Sequence, residues 1–111
     1  KLDEKGATDG RYYQLTSAVG SSKSHMDAVD ASKYAQYLDM INVMSYDMHG
    51  AFDAATNHQS PLYQHNSLKD NNLTVDDAVR RLKAAGVPSN KIIIGTPFYT
   101  RGWINVDCSN S

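Results

Sequence analysis

Three short apolar runs interrupt an otherwise polar chain. Residues 12–19 (YYQLTSAV), 40–46 (MINVMSY) and 91–97 (KIIIGTP) are rich in aromatic and β-branched residues and are bounded by polar or turn-forming ones, as buried strands are. Two helical patterns lie between them. Over residues 26–38 the apolar members are Met26, Val29, Tyr34 and Leu38; over 74–85, Val75, Ala78, Val79, Leu82 and Ala85 make one stripe. Thr74 is a suitable N-cap with Asp77 three residues later, and Gly86 followed by Pro88 ends that helix. Residues 1–5 read as the charged tail of a helix that stops at Gly6, and residues 20–24 as a Gly/Ser-rich loop carrying Lys23. The polar stretch 51–72 exceeds an ordinary connection inside a compact domain; Phe52 and Tyr63 argue for a functional loop, with Pro61 and Leu62 anchoring its return.

The predicted order is therefore strand, helix, strand, helix, strand. Nearly all-apolar strands linked through helices belong to a parallel sheet covered on both faces, so the fold class is α/β; a doubly wound sheet and a (β/α)8 barrel both fit. The chemistry gathers where two of these strands end. Tyr46, Asp47 and His49 follow the central run, and Phe98, Tyr99, Arg101 and Trp103 follow the third. Buried parallel strands present functional side chains at their carboxyl ends, where the backbone is fixed and the following loop leaves one side open.

Composition narrows the function classes. The 111 residues suffice for one domain, and 41% hydrophobic residues suffice for a core. A net charge of −1 without a basic run argues against nucleic acid and acidic membrane surfaces, and no stretch approaches the ~20 apolar residues of a membrane span. The single cysteine, Cys108, cannot form a disulfide within the chain, and His25, His49, His58 and His65 lack the short spacings of a zinc site, so neither metal nor cofactor is expected. Asn72-Leu73-Thr74 is formally an N-glycosylation acceptor, although the N-cap role explains Thr74 equally well. Beginning at Lys1 without methionine, the chain reads as processed or cut.

The run MINVMSYDMHGAFD, then HQSPLY, then AVRRLKAAGVPSNKIIIGTPFYTRGW resembles the family 18 glycoside hydrolases, the chitinases, from barrel strand five to the end of strand seven. The specific parts are Met44-Ser45-Tyr46-Asp47 and Tyr99-Thr100-Arg101-Gly102-Trp103, with Thr100 standing where the family usually has glycine. Gly50-Ala51-Phe52-Asp53 looks most like the bacterial multidomain branch. The resemblance implies a TIM barrel, of which residues 1–103 would be a segment and 104–111 the start of an insertion or a cut end.

It also implies a retaining reaction on β-1,4-linked N-acetylglucosamine, in which the substrate's own acetamido group attacks the anomeric carbon. On that pattern Tyr46 would donate to the acetamido carbonyl, Asp47 would bind sugar hydroxyl or acetamido groups, and Met44 would form an apolar floor. Tyr99 and Arg101 would contact sugars near the scissile bond, Phe52 would stack on the leaving-group side, Trp103 would be platform or packing, and Lys23 is a weaker candidate contact. Without the resemblance, Met44 is plain core and Asp47 a loop cap. The family's acidic motif, D-x-x-D-x-D-x-E at the end of strand four, is absent, and the only glutamate is Glu4. The expectation is therefore a piece of a secreted chitinase that needs the rest of the barrel as its partner. A chitinase-like lectin binding chitin oligosaccharides without cleavage, or an inactive proteolytic fragment captured by another protein, are the alternatives.

Overall fold

The computed structural model describes residues 1–65 and 73–107. Cys108, Asn72 of the glycosylation acceptor, and the end of the long loop lie outside the described residues. The described residues form α1 (Leu2–Asp9), β1 (Thr16–Gly20), α2 (Lys23–Asp27), α3 (Ala31–Ala35), β2 (Met40–Met44), α4 (Val75–Ala84), a 3-10 turn (Ser89–Lys91) and β3 (Ile92–Ile94). The strands make one parallel sheet in the order β1-β2-β3, with Val19 opposite Val43 and Val43 opposite Ile94. Sequential parallel strands with helices between them are successive βα units, as in a barrel wall or a doubly wound sheet, and among the described residues the sheet is open at both edges.

Alternation along β2 decides what is covered. Ile41 and Val43 are fully buried and meet Ala31, Ala35 and Leu38 from the α3 region and Ala78, Leu82 and Val87 from the α4 region. Their neighbours point to the other face, where Asn42 is half-buried and Met44 exposed. Burying Ile41, Val43 and Leu82 contributes about 1.5–3 kcal/mol each, so this one-sided layer supplies most of the cohesion of the sheet. The expected burial on both faces is not what the strands show: Ile93 and Ile94 of β3, an edge strand among the described residues, are 41% and 50% exposed.

The α4 pattern folds as its caps dictate. Thr74 accepts a hydrogen bond from the Asp77 amide at 3.1 Å, and the next two orphan amides, Val75 and Asp76, donate to the carbonyls of Pro61 and Leu62. The loop's return is thereby anchored at the two residues expected to do it. At the other end Gly86 takes φ 87°, while the Val87 and Gly86 amides bond back to Leu82 and Lys83, a Schellman closure.

Elsewhere the boundaries differ from those the sequence predicts. The first helix does not stop at Gly6; it runs to Asp9 and is closed by Gly10 in the left-handed region. Gly6 is needed inside the helix, because any Cβ there would run into the Arg11 carbonyl oxygen. Residues 26–38 are not one helix but two. Asp30 accepts from the Ser32 amide at 3.2 Å and starts α3 afresh, and Val29 is left exposed at the break. Lys23 sits at the start of α2 rather than in a loop. Strand β1 begins at Thr16, not Tyr12: the Tyr12 hydroxyl donates to Asp39 and that of Tyr13 to Asp9, so both tyrosines serve loop and helix contacts. Lys91 is not a strand residue either; its ammonium donates to the carbonyls of Ala35 (2.9 Å) and Leu38 (2.6 Å), a cation at the end of α3.

Candidate active site

The site is built at the carboxyl ends of β2 and β3. Ser45, fully buried, donates from Oγ to the Gly95 carbonyl at 2.8 Å and ties the two strand ends together. The Gly95 amide donates to the Val43 carbonyl at 2.9 Å, and a Cβ at Gly95 would lie 2.6 Å from that carbonyl oxygen and 2.9 Å from the Tyr46 ring. The glycine thus lets β3 close against the end of β2, and Tyr46 lies over it. Beyond Tyr46 the chain turns sharply at Asp47, a non-glycine residue at φ 53°. Left-handed backbone costs such a residue about 1–2 kcal/mol, and here it turns the Asp47 side chain toward the loop after β3.

Four of the residues singled out in the sequence meet there. Tyr46 and Tyr99 pack edge to face with ring centroids 6.4 Å apart. The Arg101 guanidinium reaches Asp47 Oδ1 at 2.5 Å and stands 5.6 Å from the centre of the Tyr99 ring. Arg101 first and the Tyr99 phenol second hold the Asp47 carboxyl below the usual carboxylate range. Partial burial, together with the Asp47 charge, pushes the Tyr99 phenol up. At neutral pH the cluster therefore holds a carboxylate, a guanidinium and a neutral Tyr99 phenol, with the Tyr46 ring packed beside them. Among the described residues the Tyr46 hydroxyl has no protein partner, and it is free to donate outward.

Asp47 and Arg101 stand between two clefts. One, of about 340 Å³, is lined by Met44, Tyr46, Asp47 and Met48 with Ser21 and His25. The other, of about 430 Å³, runs along Arg101 and Trp103 past Gln59, His58 and Thr56. Such an arrangement suits an extended polar ligand with apolar ring faces. Carboxylate and guanidinium grip hydroxyl and amide groups, and aromatic or thioether surface lies beside them.

The remaining sequence candidates are placed differently. Trp103 is half-buried and lines the second cleft. Phe52 is 71% exposed, with its ring beside Gly50. Its loop is braced by His49, which is buried and 3.2 Å from Asp53, the same carboxylate that accepts from the Gly50 amide at 2.9 Å. Lys23 pairs with Asp27 one turn along its own helix, and the α2 side chain that lines a cleft is His25. Thr100, where the resemblance leads one to expect glycine, does not take a left-handed backbone, so a side chain fits that conformation. Glu4 is exposed in the first turn of α1. No group of three or more metal-ligating side chains occurs among the described residues.

His25 and Gln59 are among the lining residues that escape a reading of the sequence. His25 belongs to a helix whose pattern is too short to assign a face. Gln59 joins loops far apart in the chain; its only local signal is an amide just before Ser60-Pro61, where the long loop returns.

The profile described as Glycosyl hydrolases family 18 matches residues 1–111. Chitinase A1 of Niallia circulans is 37% identical over 109 residues, covering 93% of this chain and 16% of that protein. Among solved structures, the Paenibacillus chitinase ChiW superposes with a TM-score of 0.89 at 38% identity, over 98% of this chain and 10% of that one. A mutant of Group II chitinase catalytic domain 2 from Ostrinia furnacalis, solved in complex with penta-N-acetylchitooctaose, superposes with a TM-score of 0.75 at 32% identity, over 87% of this chain and 26% of that one. This chain thus spans about a sixth of the length of the curated relative quoted.

Proposed function

Since this chain belongs to the family 18 glycosyl hydrolases and forms three strands of their TIM barrel, we propose that it is part of a secreted chitinase and supplies one side of its substrate cleft. The observation that carries this reading is the convergence of Tyr46, Asp47, Tyr99 and Arg101 at the ends of adjacent parallel strands. Relatives named chitinases, one of them solved with a chitooligosaccharide, support the substrate class.

In the proposed reaction the acetamido oxygen of the sugar attacks its own anomeric carbon as the glycosidic C–O bond breaks. The departing oxygen takes a proton from a glutamic acid supplied by the family's acidic motif, outside these residues, and water then opens the cyclic intermediate with retention. Tyr46 donates its hydroxyl to the acetamido carbonyl and holds it beneath the ring. Positioning of this kind, together with a hydrogen bond that strengthens as charge develops, lowers the barrier. Asp47 binds sugar hydroxyl or acetamido groups beside it, Met44 forms the apolar floor, and Tyr99 and Arg101 hold the sugars next to the scissile bond. Trp103 extends the cleft, Phe52 offers a stacking face on the leaving-group side, and Lys23 is the weaker sugar contact. On this reading residues 1–103 are a segment of the catalytic barrel, and 104–111 are the start of an insertion or a cut end.

The test is hydrolysis of an N-acetylglucosamine hexamer by the complete polypeptide carrying this chain, with the product anomer followed by NMR at early times. Initial release of the β-anomer is expected. Release of the α-anomer would overturn the mechanism, and saturable binding without cleavage would make the protein a chitin-binding lectin.

A further inference from the structure

Asp47 and the Tyr99–Arg101 pair sit on different loops, and their spacing is what a sugar between them would feel. Their own ion pair is a poor device for setting that spacing. The two side chains are 43% and 42% exposed, where such a pair contributes little and is screened by salt. Both groups are also the ones assigned to bind substrate, and on binding they must let go of each other.

Gln59 holds the same two loops through their backbones. Its Nε2 donates to the Tyr99 carbonyl at 2.8 Å, and its Oε1 accepts from the Asp47 amide at 3.4 Å. Its own carbonyl accepts from the Met48 amide at 2.9 Å, and the adjacent Ser60 donates from Oγ to the Ser45 carbonyl at 2.6 Å. One primary amide thus joins an N–H on the β2 loop to a C=O on the β3 loop, which needs an acceptor and a donor on the same planar group. The Asp47 amide it holds belongs to the residue in the left-handed conformation, the point in the turn with most to gain from a fixed partner. None of these bonds uses the side chains of Asp47, Tyr99 or Arg101, so all can persist while those side chains engage a sugar.

We propose that Gln59 is a positioning residue that sets the separation of Asp47 from Tyr99 and Arg101 across the cleft, acting through those three residues rather than on the substrate. This rests on the reading of the cleft as a chitin-cleaving site.

Gln59→Glu tests it in the complete polypeptide. The substitution keeps an acceptor for the Asp47 amide and sets a carboxylate oxygen against the Tyr99 carbonyl. With an N-acetylglucosamine tetramer as substrate, kcat/KM should fall about 10- to 100-fold, the scale of a misplacement near 1 Å. In an Arg101→Ala background the same change should cost less than about 3-fold, since part of what Gln59 positions is gone. Wild-type kcat/KM in Gln59→Glu, or an equal loss in both backgrounds, would overturn the proposal, the second by showing that Gln59 only supports folding. If Gln59→Glu does not fold, Gln59→Met, similar in length but unable to donate to the Tyr99 carbonyl, is read by the same cycle. A wild-type protein that does not cleave the tetramer would defeat the chitinase reading and this inference with it, whereas active wild type with unimpaired Gln59 variants defeats this inference alone.

Discussion

At the scale of the residue, Tyr46 and Asp47 do different work although they are adjacent. Tyr46 offers an unpartnered hydroxyl over the strand ends, so Tyr46→Phe should leave the fold intact and lower turnover by roughly 10- to 1000-fold, as loss of a charge-stabilising donor does. Unchanged kcat would remove Tyr46 from the mechanism. Asp47 is tied to Arg101, and its folded pKa is depressed. A depressed carboxylate contributes stability that is fully present above its unfolded value and is lost as pH falls through the lower, folded one. The melting-temperature difference between the wild type and Asp47→Asn should therefore stay level from pH 7 to about pH 4 and shrink below it. A difference that stays level below about pH 4 would mean that the pair does not hold the carboxyl down.

Elements set how firmly these side chains are placed. Gly95 allows the start of the β3 loop to close on the Val43 carbonyl and the Tyr46 ring, and a backbone carbonyl cannot move aside as a flexible side chain could. Gly95→Ala should cost about 1–3 kcal/mol by overpacking and should reduce turnover as well, because the displaced ring is that of Tyr46. Denaturant unfolding and kinetics on the same sample would check both, and a variant as stable and active as wild type would show that the strand ends have slack. Thr74 caps α4, the helix whose Ala78 and Leu82 pack with Ile41 and Val43. Thr74→Ala is expected to lower stability by about 1 kcal/mol with kcat unchanged.

The whole molecule is elongated, with extents of 65 × 27 × 21 Å and a radius of gyration of 17.8 Å, against about 13 Å for a compact chain near this length. Exposed apolar residues occur along the chain, and on and after β3 they include Ile93, Ile94, Phe98 and Ile104, which are 41% to 102% exposed. A barrel wall keeps such residues from water only when its neighbouring strands and helices are present. The isolated 111-residue chain should therefore bind the dye ANS, unfold with low cooperativity and cleave no chitin oligosaccharide. A sharp thermal transition with no dye binding would mean that the open sheet is covered in a way the structure does not show.

The sequence by itself determined the features whose causes are local. Thr74, Gly86 and the apolar stripe between them are enough to write α4, because caps and periodicity act within one or two turns. The buried run around Ile41 and Val43 likewise announces a central strand, and the residues after it announce a site. Tyr46, Asp47, Tyr99 and Arg101 were legible as candidates on two motifs, but nothing local says that Arg101 reaches Asp47 or that Tyr99 meets Tyr46 edge to face. Tertiary structure alone decided those contacts. It also decided why Gly6 is a helix residue, why Asp30 divides one helical pattern into two, which face of β2 is covered, and that Gln59 spans two loops. Each depends on a partner remote in the chain or on competition between a side chain and the backbone, and a contact between segments tens of residues apart leaves no periodicity for a sequence to display.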